Sequence, residues 1–403
     1  MGADRLDPLR SPARGVRLHP VKDPRVRFDA RSPFQVELKR RVDAYLGEAG
    51  REPAGFRAMH RKTAALFASL ALGLALGLST TMLPVVLAGA LVAGLAMAGL
   101  GMSVQHDGGH RAYSKNPKVN KVAAAVLDFL GASSHVWNHK HAIAHHTYPN
   151  MEGADEDIEL QPLARMAPGQ PHQWFHLAQP LYMPLLYGML NLKWYWWDDY
   201  RDLLRGRIGN TPIARPRGGD LAIFLAGKLV HPLWALVLPI ATLGWAKGLG
   251  FYGVMYFTCG LTLSLVFQLA HCVEEAEFIR LTDLADGEII ERDFAAHQLA
   301  TTVDFAPNNR WLTWYVGGLN FQAVHHLYPR VCHIHYPALA PIIQRCSAEY
   351  GVAYKSTPSL ATAIGSHFRW LARMGRGEPG RDRVVSVPGD YFTPAAGQAA
   401  PGS

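Results

Sequence analysis

Long apolar runs, rather than short amphipathic stripes, dominate the hydropathy pattern of this chain. Residues 64–104 contain no charged side chain, and Pro84 lies near the middle of the run. A helix needs roughly 20 residues to cross the hydrocarbon core of a bilayer, so this run is long enough to cross twice. The pattern therefore predicts a hairpin of two membrane spans, at about 64–82 and 84–104.

A second apolar run covers residues 221–271. Lys228 and Lys247 are its only charged residues, and a glycine-containing interruption lies near its middle. It predicts a second hairpin, with spans at about 221–243 and 250–271. We therefore expect an all-α integral membrane protein with four transmembrane helices in two hairpins, and a helical cap on one side of the membrane.

Lys and Arg are distributed unequally around these spans. Residues 1–63 contain 15 of them and residues 105–220 contain 12, whereas the two hairpin turns contain Lys247 alone. Cytoplasmic loops carry an excess of Lys and Arg. We therefore expect the segments before, between and after the two hairpins to be cytoplasmic, which places both chain termini in the cytoplasm.

Local composition divides the chain into three regions. Residues 1–62 are polar, rich in Arg and Pro and without a signal-peptide pattern, so they predict a partly disordered cytoplasmic segment. Residues 63–375 form the predicted membrane domain, and residues 376–403 predict a disordered tail. Within the domain, the aromatic stretch 174–197 predicts either a segment along the lipid headgroups or a buried helix pair of the cap.

Overall composition narrows the possible classes. Four cysteines in 403 residues, with no Cys-x-x-Cys pair, exclude a disulfide-rich scaffold and give no thiolate metal motif. The net charge of +8 is explained by cytoplasmic loops and does not require a nucleic-acid partner. The unusual feature is the count of 19 histidines.

Two histidine clusters have the spacing of metal ligands. His106 and His110 are four residues apart where the second span ends, so a helix would place both imidazoles on one face. His141 and His145 repeat this spacing, and His146 lies about 100° further round the helix, where it suits a second ion or another corner of the same one.

A third cluster and one isolated histidine complete the pattern. Gln322 precedes the pair His325 and His326 by three residues, and His271 ends the fourth predicted span. The predicted topology places all these histidines on the cytoplasmic side. Imidazole suits iron, zinc and copper, and one pair supplies only two ligands, so this many histidines on one side predict two metal ions.

Other histidines have weaker claims to metal binding. His172 and His176 share the four-residue spacing, but a proline precedes them and neither an acidic motif nor the end of a span accompanies them. We interpret them as a feature of the cytoplasmic surface. His135 and His139 also show this spacing, while His333 and His335 lie near the third cluster and stay ambiguous. We expect the remaining ones to be ordinary surface or core residues: His19, His60, His231, His297 and His367.

The three histidine boxes resemble those of the membrane fatty-acid desaturases. The surrounding phrases are also similar, namely His-Asp-Gly-Gly-His, His-His-Thr-Tyr-Pro-Asn with Gly-Ala-Asp-Glu-Asp-Ile after it, Phe-Gln-Leu-Ala-His, and Gly-Leu-Asn-Phe-Gln-Ala-Val-His-His-Leu-Tyr-Pro. The likeness covers roughly residues 60–350. It implies a four-span fold whose cytoplasmic cap holds a non-haem di-iron centre.

The resemblance also implies a ligand set. The ligands would be His106, His110, His141, His145, His146, His271, His325 and His326. Gln322 stands where many relatives have a further histidine. A glutamine at this position is typical of the front-end desaturases and their bacterial relatives. Because ligating imidazoles usually donate their other N–H to a carboxylate or carbonyl, we expect nearby acids to orient them: Asp107, Asp155, Asp157, Glu274 and Glu275.

The implied reaction is the introduction of a double bond into a fatty acyl chain, carried by CoA or by a lipid, with O2 as co-substrate. The cytochrome b5 motif His-Pro-Gly-Gly is absent from the sequence. We therefore expect an external electron donor, such as ferredoxin or cytochrome b5 with its reductase.

Four other classes of protein have features in common with this sequence. A hydroxylase, ketolase or epoxygenase on the same di-iron scaffold stays open, because the same oxidant can transfer oxygen instead of removing a second hydrogen. A membrane haem protein is disfavoured, since only His231 lies within the first three spans. The absence of Glu-x-x-His and His-Glu-x-x-His motifs disfavours a soluble carboxylate-bridged desaturase and a zinc protease.

Overall fold

Helices make up most of the protein in the computed structural model, which describes residues 26–29, 31–47, 56–209, 211–280 and 290–378. The α-helices in chain order are α1 (Pro33–Gly47), α2 (Phe56–Leu78), α3 (Leu83–Leu100), α4 (His106–Gly109), α5 (Pro117–Ala124), α6 (Val126–Phe129), α7 (Ser134–Trp137), α8 (Gln179–Lys193), α9 (Asp199–Arg205), α10 (Gly219–Pro232), α11 (Leu238–Leu243), α12 (Trp245–His271), α13 (Phe294–Thr301), α14 (Arg310–Tyr315), α15 (Gln322–Leu327), α16 (Tyr336–Glu349) and α17 (Leu360–Gly375).

Helices of other types and short strands connect these elements. The π-helices span Gly101–Gln105, Asn138–His145, Trp194–Asp198 and Leu233–Val237, and the 3-10 helices span Trp174–Ala178 and His333–His335. The strands are β1 (Val26–Asp29), β2 (Met151–Glu152), β3 (Arg207–Ile208), β4 (Thr211–Pro212), β5 (Ile279–Arg280), β6 (Ile290–Asp293), β7 (Asp304–Phe305) and β8 (Ser356–Thr357). They pair as β1–β6, β2–β5 and β7–β8 in parallel and as β3–β4 antiparallel.

Four helical stretches are long and apolar enough to cross a membrane. They are Arg57–Leu78, Leu83–Gly109, Gly219–Leu243 and Trp245–His271. The prediction of a mainly helical membrane protein with four spans is therefore confirmed. The first and fourth stretches begin earlier than expected, because the helices continue beyond the uncharged part of the sequence.

Small residues let the first hairpin and the fourth span pack closely. A Cβ on Gly89 would lie 2.4 Å from the Cα of Gly77, and one on Gly94 would lie 2.4 Å from the carbonyl oxygen of Met255. Close backbone approach at small residues is typical of helices that associate in membranes. The two hairpin turns also meet, since the Lys247 ammonium donates to the Thr81 carbonyl over 2.7 Å.

The hairpin turns and the histidines therefore lie at opposite ends of the four-span bundle. The second stretch ends beyond His106, and the fourth ends at His271. Both apolar helices thus deliver a histidine at the same end, where the connecting segments form the cap. The structure therefore supports the predicted grouping of the clusters at one end of the spans.

The aromatic stretch 174–197 contains α8, which packs along α12. A Cβ on Gly188 of α8 would touch the Phe257 ring, so the two helices are in close contact. The outer face carries exposed apolar side chains, and Leu181 is 84% exposed and Trp197 62% exposed. Such exposure favours the interpretation along the lipid headgroups over the buried helix pair.

The expected disorder of the two ends falls largely outside the described residues, which omit 1–25, 48–55 and 379–403. Within the N-terminal segment, α1 is ordered and buries Phe34, Leu38 and Val42 in a cluster shared with α16. The described part of the chain after α17 ends at residue 378.

Candidate metal centre

Four separate segments deliver the predicted ligand histidines to one buried region. The first box begins α4, the second lies in the π-helix at 138–145 and just after it, His271 ends α12, and the third box lies in α15. The side chains in question are all buried: His106, His110, His141, His145, His146, His271, His325 and His326. Residues as far apart in sequence as the first and third boxes therefore line the same site.

One group of ring nitrogens comes from all three boxes. His106, His110, His141 and His325 each offer a nitrogen within 4.8 Å of the others. The Nε2 atoms of His106 and His141 are 3.2 Å apart. Four imidazoles converging at this spacing could hold one transition-metal ion.

A second group adjoins the first. His145, His271 and His326 also offer nitrogens within 4.8 Å of one another. His146 lies between the groups, since it clusters with His325 and His326 and its Nε2 is 3.3 Å from that of His141. The arrangement therefore suits two neighbouring ions.

The local fold of the second box explains how three of its histidines reach both groups. Residues 138–145 form a π-helix, in which hydrogen bonds join residues five apart. His141 and His146 are five apart, and this wide turn brings their Nε2 atoms together. An ordinary helix, as the spacing predicts, would place His141 and His145 on one face and His146 about 100° further round. Short π-helical segments occur frequently at functional sites.

The chemistry of the donors fits a bound metal. The Nε2 atoms of His110, His325 and His326 are buried and have no hydrogen-bond partner among the residues that the structure describes. A buried polar atom without a partner costs free energy, so a ligand that these atoms could bind is expected. Burial also lowers the pKa of all three histidines well below the usual value, which favours the neutral imidazole that binds metals.

Gln322 lies at the second group. Its side-chain nitrogen is 3.0 Å from the Nε2 of His271, and its carbonyl oxygen is buried without a partner among the described residues. The amide is therefore close enough to take part in binding at this group, either directly or through water.

The far nitrogens of several candidate ligands are held by hydrogen bonds. His145 donates from Nδ1 to Asp155, with both carboxylate oxygens 3.0 Å away. His326 donates to the Gln298 side chain over 2.9 Å, and His271 donates to the Thr301 carbonyl over 3.2 Å. Such contacts fix the ring orientation and leave the other nitrogen for a metal.

Asp155 and Asp157 give His145 a different electrostatic environment from the other ligands. Burial works against its charged form, but the neighbouring Asp155 and Asp157 carboxylates raise its pKa above the usual value. Asp157 also forms an ion pair with Lys140 at 3.0 Å. Both carboxylates therefore lie beside a proposed ligand of the second box.

The other three acids expected to orient ligands make different contacts. Asp107 accepts from His333 over 2.9 Å. Glu274 accepts from Arg369 over 2.7 Å, and Glu275 accepts from the Ser366 hydroxyl over 2.5 Å. Asp107 lies on α4, where neighbouring residues point in different directions, and Glu274 and Glu275 lie in the turn after α12. Proximity in sequence to a ligand therefore does not place an acid beside it.

The sequence gives no sign of two residues that contact the candidate ligands, Gln298 and Tyr336. Gln298 joins two boxes, since it accepts from His326 and donates to the His146 carbonyl over 3.1 Å. The Tyr336 hydroxyl lies 3.2 Å from the Nδ1 of His325. Neither residue belongs to a motif, and only the folded structure brings it to the histidines.

Histidines outside the three boxes mostly bond to backbone carbonyls. His172 contacts the Gly375 carbonyl at 2.7 Å, His176 the Pro162 carbonyl at 2.9 Å, and His135 the Ala214 carbonyl at 2.7 Å. His172 is exposed, as expected for a surface feature, whereas His176 is fully buried, so the surface interpretation is wrong for His176.

Four apolar spans and a buried histidine cluster define a class of protein, the integral membrane proteins with a candidate metal centre in a cap. Comparison with known proteins is more specific, because the model of the family described as fatty acid desaturase matches residues 80–358. The chain belongs to the fatty acid desaturase family, and it is accordingly an oxidoreductase of lipid metabolism.

Named relatives agree with this assignment. The chain is 37% identical over 355 residues to the sn-1 linoleoyl-lipid 6-desaturase of Synechocystis sp., with 87% of this chain and 98% of the relative covered. It is 36% identical to the enzyme of the same name from Arthrospira platensis, with 87% and 95% covered. It is 37% identical to the acyl-lipid (8-3)-desaturase of Physcomitrium patens, with 71% of this chain and 60% of the relative covered.

Proposed function

We propose that this protein introduces a double bond into the acyl chain of a membrane lipid, using O2 and two electrons at a di-iron centre held by histidine. The observation that carries the proposal is the pair of adjoining buried histidine groups with unpaired ring nitrogens. The relatives support the choice of carrier, because their names describe acyl-lipid or linoleoyl-lipid desaturases. We therefore favour a lipid-bound chain over acyl-CoA.

The proposed ligands divide between the two irons. The first would be held by His106, His110, His141 and His325, and the second by His145, His271 and His326. His146 would complete the set between the groups, and Gln322 would lie beside the second iron.

Metal chemistry is needed because removing hydrogen from two unactivated methylene groups is beyond any side chain acting as acid or base. When bound, the iron pair would supply the oxidising power by activating O2. The protein's residues would hold the imidazole rings in a fixed orientation. Asp155, Gln298 and the Thr301 carbonyl do this through the Nδ1 atoms of their partner rings.

An apolar group beside the histidines offers a wall for the acyl chain. The Trp137 ring stacks on His141 with centroids 4.7 Å apart. Trp137 also clusters with Leu127 and Ala132, and Trp194 packs against this cluster. We infer that the acyl chain passes along this surface, because apolar walls exclude water from the site and fit a hydrocarbon.

We also propose that the cap and both chain termini face the cytoplasm, on the basis of the Lys and Arg excess in residues 1–63 and 105–220. Each turnover consumes two electrons, and the proposed ligand set has no store of electrons beyond the metal. We therefore infer a separate electron donor, such as ferredoxin or cytochrome b5 with its reductase.

The proposed function is tested by expressing the full chain in a host that supplies polyunsaturated membrane lipids. Fatty acids would be analysed by gas chromatography with mass spectrometry of double-bond adducts. We expect a new unsaturated acid with the unchanged chain and with His172→Ala, and none with His326→Ala. A hydroxylated or keto acid in place of the new double bond would contradict desaturation, and product formation by His326→Ala would contradict the proposed site.

A further inference from the structure

A buried chain of polar side chains lies beside the first histidine group and outside the proposed ligand set. It consists of Lys62 on α2, His333 in the segment after the third box, and Asp107 on α4. The Lys62 ammonium is 3.0 Å from the Nε2 of His333, and the Nδ1 of His333 is 2.9 Å from the Asp107 carboxylate. Lys62 and His333 are each 4% exposed, and Asp107 is 2% exposed.

The donors and acceptors of this chain can be ordered from their chemistry. An ammonium group only donates, so Lys62 donates to the Nε2 of His333. The ring then carries its proton on Nδ1 and donates to Asp107, which also accepts from the Cys332 thiol over 3.1 Å. A neutral imidazole therefore links a buried cation to a buried anion, and the charges of the chain balance.

A further metal ion is a less suitable explanation of this cluster. Asp107, Cys332 and His333 do bring ligand atoms within 4.8 Å of one another. However, the Lys62 ammonium contacts the same imidazole, and a positive charge so close in a buried site opposes a second cation. The contacts are those of a hydrogen-bonded brace.

The position of the brace connects the first and third histidine boxes. Asp107 lies between His106 and His110, and His333 follows His325 in the segment that leads to α16. His106, His110 and His325 all belong to the first group. The brace therefore joins the two protein segments whose spacing decides whether that group can close around an ion.

We propose that the brace formed by Lys62, His333 and Asp107 sets the spacing of the first and third boxes, and that His333 is thereby a positioning residue for the first metal ion. The identity of the ion rests on the proposed function, but the brace itself consists of this chain's own residues. Partners that orient metal ligands typically change metal affinity by about 10–100-fold when they are removed.

The test uses the purified full chain in detergent, with iron affinity measured by chelator competition and the iron environment by Mössbauer spectroscopy. His333→Leu removes both hydrogen bonds of the brace, whereas His333→Asn can still donate to Asp107 in place of Nδ1. We expect His333→Leu to weaken one of the two irons by about 10–100-fold and leave the other nearly unchanged. His333→Asn should recover most of that loss.

His176→Leu is the matched control, because His176 is equally buried and makes two hydrogen bonds, to Gln173 and Pro162, away from the boxes. It should lower thermal stability without selective loss of one iron. If His333→Leu does not accumulate, Lys62→Leu tests the same claim, with the loss again expected at one iron.

Two results would contradict the proposal that the brace positions the first metal ion. One is wild-type affinity for both irons in His333→Leu or, where that variant does not accumulate, in Lys62→Leu. The other is an equal loss of iron in His176→Leu. Neither result contradicts the proposed function, provided that the unchanged chain binds two irons and forms the double bond. If the unchanged chain does not do so, the proposed function itself is contradicted.

Discussion

Replacing Asp155 with Asn should weaken iron binding strongly, although the two side chains have nearly the same shape. Asp155 is fully buried and accepts from the Nδ1 of His145. It also accepts from the backbone N–H groups of Asn150 and Asp157, over 2.9 Å and 3.0 Å. An Asn side chain has a single acceptor oxygen and turns an NH2 group toward one of these donors, so at least one donor loses its partner.

The size of the effect follows from these contacts. Losing the partner that orients a ligating histidine lowers metal affinity by about 10–100-fold. This corresponds to about 1.4–2.7 kcal/mol of binding free energy. The N–H group left without a partner should also reduce the free energy of unfolding by about 1–3 kcal/mol, because its desolvation in the folded protein is no longer compensated by a hydrogen bond.

The assay is chelator competition on the purified protein, combined with the yield of unsaturated acid in the expressing host. Glu349→Gln is the control, because Glu349 pairs with Arg41 at the surface and exposed ion pairs contribute little. We expect Asp155→Asn to lose iron and product together while the control loses neither. Unchanged iron affinity in Asp155→Asn would refute the role given to this carboxylate.

Three other predictions concern different parts of the structure. His326→Ala should abolish desaturation and lower bound iron, whereas His172→Ala should do neither; both are measured by metal analysis and fatty-acid profile. Gln298→Leu should lower iron affinity by about 10-fold or more, since the His326 ring loses its hydrogen-bond acceptor. An iron affinity equal to that of the unchanged chain, measured by chelator competition, would contradict this prediction. Gly89→Val should reduce the free energy of unfolding by about 1–3 kcal/mol, because its Cβ would overlap the Gly77 backbone; an unchanged melting temperature would contradict the close packing of the first hairpin.

The spans and the grouping of the histidines could be predicted because each depends on local pattern. An uncharged run of sufficient length has few alternatives to a membrane helix. Histidines at helical spacing where two such runs end must lie at one side of the bundle. The bounds were less predictable, because α2 begins at residue 56 and carries Lys62, whose charge is buried by contact with the distant His333.

The supporting residues of the site could not be predicted, since they reach it only through tertiary contacts. Gln298 lies in α13 and bonds to histidines of two different boxes. Asp107 was expected to face the histidines beside it, but its helix turns it toward His333. The π-helix at 138–145 also changes which residues of the second box meet, and the spacing alone gives no sign of it.

The most direct test of the central claim, that the buried histidines hold a pair of irons, is metal analysis of the purified full chain. The unchanged protein should contain about two iron ions per chain, with no stoichiometric zinc or copper, and His326→Ala should contain less iron. Zinc or copper in place of iron, or full iron content in His326→Ala, would contradict the account.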